Sequence, residues 1–196
     1  MHVYTNPAGS GHSHGPGHTG GPGNSRATFE SAHAGPDEAR YEQAVAQFLS
    51  RYATSREHSS QELWAALDAA CDALATSGAA SEPQAKLLRD CVSRDIAQLA
   101  SVLVRGDRRE ANAIARLAQQ RGPLRLLVEA LRLSGDAIYR LAGESGRVEL
   151  RRAGEVTCAG TLSCPQCGAT HRSTQSLLVM PCAGCGAAEH VKALQV

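Results

Sequence analysis

Two Cys-x-x-Cys-Gly turns, Cys164-Pro-Gln-Cys167-Gly168 and Cys182-Ala-Gly-Cys185-Gly186, restrict the end of this chain more than any other feature does. One such turn sets two thiols side by side, and the second supplies the other two corners of the thiolate tetrahedron that Zn2+ favours at about 2.3 Å. The glycine after each pair has no Cβ to resist positive φ, so the backbone can turn its N–H groups toward the sulfurs. Four thiolates around one dication leave a formal charge of about −2, which such donors or nearby cations must offset. His171 and Arg172, between the turns, are placed to help. Cys164, Cys167, Cys182 and Cys185 are therefore the candidate ligands of one structural zinc.

The same four sulfurs limit the chemistry. They leave no open position for water or substrate, which argues against a catalytic zinc. Mononuclear iron also uses such turns, but inside an aromatic shell, and the chain has no Phe, Tyr or Trp from Val148 onward. Iron-based electron transfer thus stands behind zinc. Disulfides are disfavoured: the first thirty residues lack the apolar run of a signal peptide, no stretch approaches a membrane span, and seven cysteines are an odd number. The expected location is cytoplasmic, with no membrane association.

Residues 1–35 are rich in Gly, Pro, Ser and His and read as a disordered tail. His12, His14 and His18 read as part of a solvated spacer. The Gly-x-Ser-x-Gly match at residues 11–15 has no preceding strand or following helix, so Ser13 is no nucleophile. From Pro36 the spacing turns helical, with Tyr41, Val45, Phe48 and Tyr52 on one face. A second helix opens at Ser59 with Glu62 completing a capping box, and a third at Ser81 with Gln84, ending at Gly106. Asp107 and Glu110 suggest a fourth, and Gly122-Pro123 opens a fifth that carries Leu124, Val128, Leu131, Ile138 and Leu141. Trp64 reads as a packing anchor, and Cys71 and Cys91 as small core hydrophobes. After the break at residues 143–146 the period shortens to two: Val148 and Leu150, Thr161-Leu162, and Leu177 to Met180 read as strands. The expected architecture is mainly α with a small β zinc ribbon. A helical bundle or hairpin over 36–143 precedes a ribbon module over 147–196, which is too small to fold without its metal.

The segments "GEVTCAGTLSCPQCG" and "LLVMPCAGCG", behind helices containing "LLRDCVSRDIAQLA", resemble a bacterial family of zinc-ribbon-containing proteins whose biochemical function is unassigned. The resemblance covers roughly residues 40–192. It implies a helical region with a C-terminal ribbon and carries the ligand role onto the same four cysteines. His190 stands where the resemblance implies an aromatic packed on the ribbon, and is a candidate polar contact. Cys158 reads as an ordinary strand residue.

No phosphate-binding loop, His-Glu-x-x-His or dinucleotide fingerprint occurs, so the chain reads as non-enzymatic. The formal net charge of +1 gives no polyanion-binding field. The leading expectation is a ribbon that presents a surface to a protein partner, through the loop Ala169 to Gln175 or through the helices, which can also self-associate. The alternative is a nucleic-acid-associated factor with Arg147, Arg151, Arg152, Arg172 and Lys192 as phosphate contacts, a reading by fold analogy.

Overall fold

The computed structural model describes residues 35–106, 108–119, 122–143 and 149–194. Residues 1–34 of the tail, Asp107, Val148, and the Glu144 to Gly146 part of the expected break lie outside them. The described residues contain six helices and six short strands. Helix α1 spans Pro36–Tyr52, α2 Ser60–Thr76, α3 Glu82–Arg105, α4 Arg108–Ala118, α5 Pro123–Leu133 and α6 Ala137–Gly143. The strands are β1 Leu150–Arg152, β2 Val156–Thr157, β3 Gly160–Ser163, β4 Thr170–Ser173, β5 Leu177–Leu178 and β6 Glu189–Ala193. The fold is mainly helical with a small antiparallel ribbon, as the patterning implies.

Local chemistry sets the helix ends. Both capping boxes form: Ser59 and Ser81 accept from the N–H groups of Glu62 and Gln84, whose side chains reach back to the cap residues. Helix α3 stops at Gly106, in the left-handed conformation at φ 69°. The expected fifth helix is corrected to two. The chain breaks between α5 and α6 at Ser134-Gly135-Asp136, where Gly135 takes φ 50° and Ser134 Oγ bonds the carbonyl of Ala130. Tyr52 also reaches Ser134, at 3.0 Å, tying the break to the end of α1.

The core is mainly aliphatic, with three aromatic rings from α1. Tyr41, Val45, Phe48 and Tyr52 are wholly buried, as are Leu63, Leu67, Leu74, Ile96 and Leu99. Cys71 and Cys91 lie within it, and Trp64 packs against its margin. The same buried cluster runs on into the ribbon through Val156, Cys158, Ala159 and Leu194.

The ribbon has a four-stranded antiparallel sheet in the order β1-β6-β3-β4 and a separate β2-β5 pair. The expected loop Ala169 to Gln175 is corrected: most of it is β4, paired with β3 from Gly160↔Ser173 to Ser163↔Thr170. Helix α1 fastens the β5 side, where Glu38 accepts from the Leu178 N–H and Glu42 from the Ser176 hydroxyl.

Candidate metal centre

The two knuckles are built alike. Cys164 N–H donates to the Ala169 carbonyl at 2.8 Å and Gly168 N–H to the Cys164 carbonyl at 3.0 Å; Cys182, Ala187 and Gly186 repeat both bonds at 2.8 Å. Gly168 and Gly186 adopt φ 72° and 75°, closing each turn in a conformation that residues with a Cβ resist. The strands feeding the turns bring all four sulfurs within 4.8 Å of one another. Two close pairs join different knuckles, Cys164 with Cys185 at 3.6 Å and Cys167 with Cys182 at 3.5 Å.

These separations are far beyond a disulfide bond of about 2.05 Å. They lie slightly below the edge of about 3.8 Å expected for a tetrahedron of sulfurs around a metal at about 2.3 Å. The donor set fits a thiophilic dication that needs four ligands. Cys164 and Cys182 are buried while Cys167 and Cys185 are exposed, so one side of the cluster faces solvent. The N–H groups of Gly184 and then Cys185 pull the Cys182 thiol down to about 6. At Cys185 the Ala187 N–H pulls the same way, but neighbouring thiols, Cys164 foremost, push it up to about 12. One thiolate forms readily, and the sulfur cluster resists the accumulation of more negative charge that a bound dication would offset.

At the ribbon's junction with the helices lies a charged network that sequence reasoning missed. Asp95 of α3 is wholly buried. Its Oδ1 accepts from Arg151 Nη2 at 2.6 Å, Lys192 Nζ at 2.8 Å and Thr157 Oγ1 at 2.8 Å. Its Oδ2 accepts from the Tyr41 hydroxyl at 2.5 Å and the Cys158 N–H at 2.7 Å. Lys192 spends its other two protons on Thr157 Oγ1 at 2.6 Å and Cys158 Sγ at 3.0 Å. Gln98 accepts from Arg151 and donates to the Lys192 carbonyl. Burial alone would raise the Asp95 carboxyl, but the charges of Lys192 and then Arg151 hold it far below the usual range. Burial, reinforced by the Asp95 charge, pushes Tyr41 well up and Cys158 up to about 11.

A signal for this network exists in the sequence. Asp95 falls on the apolar stripe of α3, between Val92 and Leu99, where a carboxylate requires a buried partner. The partners come from strands whose inward positions are polar: β6 turns His190 and Lys192 inward and Glu189 and Val191 outward.

The placement revises the expected roles. Arg151 and Lys192 are buried in ion pairs with Asp95, so they cannot serve as phosphate contacts. Arg152 is exposed and pairs with Glu189 at 3.3 Å, Arg172 is exposed, and Arg147 lies outside the described residues. Cys158 stands apart from the four-sulfur cluster, as a buried strand-end thiol against Lys192. His190 is buried, and its Nδ1 has no hydrogen-bond partner among the described residues.

Knuckles of this form, on a small antiparallel sheet docked to helices, define a zinc ribbon. The chain belongs to the family described as zinc-ribbon containing domain, whose model matches residues 50–193. No curated protein and no solved structure matches it. Family and cluster together point to zinc binding. Among the described residues, no helix is long and apolar enough to cross a membrane.

Proposed function

We propose that the chain is a non-enzymatic, cytoplasmic zinc protein whose ribbon presents a surface to a protein partner. One zinc, held by Cys164, Cys167, Cys182 and Cys185, is structural. The observation that carries this reading is the poverty of the knuckle end: among the described residues its buried cluster is Cys164, Cys182 and Ala187. So small an apolar contact cannot offset the entropy of ordering two turns, and a metal with four thiolates supplies what is missing. A metal saturated by protein sulfur has no position for substrate, so its role is to shape the surface around it.

The test is native mass spectrometry with elemental analysis on protein purified without a metal-affinity step, beside the Cys182→Ser, Cys185→Ser double variant. One zinc per chain, absent from the variant, with helicity retained and the ribbon disordered, is the expected result. Iron, or paired disulfides with no metal, would overturn the reading.

A further inference from the structure

We infer that the ribbon binds an extended, alternating apolar and acidic segment of a partner protein by strand addition along β4, with an apolar side chain entering the cavity beside the metal centre. The inference rests on the interaction reading above and names its partner class.

Strand β4 ends the four-stranded sheet, with only β3 beside it. Its register shows which groups are unused. The Cys164 N–H to Ala169 carbonyl bond marks 164/169 as a bonded pair, and antiparallel alternation makes Leu162/His171 and Gly160/Ser173 bonded pairs as well. The N–H and C=O groups of Thr170 and Arg172 therefore face away from β3. Two outward residues on an end strand are the template that strand addition requires.

One face of this strand borders a cavity of about 250 Å3. Buried Leu162 and His190 line it, together with Thr170, His171, Met180 and Pro181. A void of about 150 Å3 already admits benzene, so one Leu or Phe side chain fits here. Met180 is 63% exposed, and its flexible thioether can close over an incoming apolar group. The Nδ1 of His190, which also lines the cavity, has no hydrogen-bond partner among the described residues.

Charge selects among occupants. No Asp or Glu occurs from Ala169 to Ala183, and exposed Arg172 has no ion pair among the described residues. Side chains alternate along a strand, so His171 lies on the cavity face and Arg172 on the opposite one. An added strand that drops an apolar residue into the cavity thus sets its next residue beside Arg172, where a carboxylate is favoured. A second copy of β4 fits poorly: Thr-His-Arg-Ser has no apolar side chain for the cavity and offers no carboxylate to Arg172.

The test uses the full zinc-loaded chain and three synthetic peptides: one alternating Leu with Asp, one of the same composition with Leu and Asp in blocks, and one alternating Leu with Lys. Anisotropy titrations are expected to rank the first at least about tenfold tighter than either other. Hydrogen exchange is expected to slow at the Thr170 and Arg172 amides when it binds. Arg172→Glu, an exposed change that leaves the fold intact, should reverse the preference to the Lys peptide, and Thr170→Pro, which removes one outward donor, should weaken both. Equal affinity for the block peptide, protection confined to other amides, or no binding by any peptide would overturn the inference. Zinc analysis of the same sample separates that failure from failure of the metal reading. A protein partner whose binding ignores Arg172→Glu would leave the interaction reading standing and remove strand addition.

Discussion

Asp95 is the residue on which the junction of helix and strand turns. It receives hydrogen bonds from Arg151, Lys192, Thr157, Tyr41 and the Cys158 backbone, and both cations come from the ribbon. Removing one partner of a buried ion pair leaves an uncompensated charge, at a cost of about 3–5 kcal/mol. Asp95→Ala strands two cations and is expected to destabilise by that amount in urea denaturation of the zinc-loaded protein. Lys192→Met should cost less, because the Asp95 and Arg151 pair it leaves is neutral. Equal losses for the two would mean that the network does not act through its charge balance. The clustering of the four cysteines was legible without any structure, since two Cys-x-x-Cys turns carry their spacing in the sequence. Asp95 was harder to see: its partners lie 56 and 97 residues away, and their positions depend on strand register.

At the scale of elements, the pattern was readable wherever a signal was local. Ser59 with Glu62 and Ser81 with Gln84 fix two helix starts by bonds that span three residues. The break at Ser134-Gly135-Asp136 escaped because the apolar spacing continues across it, from Leu131 to Ile138. Gly135 holds φ 50° with open space around its Cα, so only backbone strain opposes a side chain there. Gly135→Ala is expected to cost about 1–2 kcal/mol, measured as a fall in the urea midpoint, whereas Gly143→Ala, without positive φ, should not. Strands β4 and β6 were missed for another reason. Alternation is sought as apolar-in and polar-out, yet β6 buries His190 and Lys192 and leaves Val191 37% exposed. Its pattern is reversed because the surface that receives it includes the carboxylate of Asp95.

For the whole molecule, the buried titratable groups set a window of stability. The Asp95 carboxyl is depressed in the fold, so its contribution is present above about pH 4 and is lost as pH falls toward the folded value. Proton competition for the metal sulfurs adds to that acid limb. Burial pushes the thiols of Cys71, Cys91 and Cys158 up to about 11, so their contribution holds below about pH 8.5 and fades as pH rises through the folded values. Denaturant midpoints across this range should form a plateau near neutrality that falls on both sides. Replacing Cys71 and Cys91 with Ala should flatten the alkaline limb even if it lowers the plateau. Metal removal should act unevenly: chelation is expected to release the knuckles while far-ultraviolet dichroism keeps its helical signal, because the helices share a large aliphatic core.

The buried pairing of Asp95 with ribbon cations also bears on how this protein is dissected. A ribbon expressed without its helices would carry Arg151 and Lys192 without Asp95 to meet them, bared to solvent on a fragment whose whole cationic excess they make up. Such a fragment would attract polyanions for a reason belonging to the cut. Pull-downs with an isolated ribbon would then report an artefact of truncation, with two cations on display that the whole chain keeps inside.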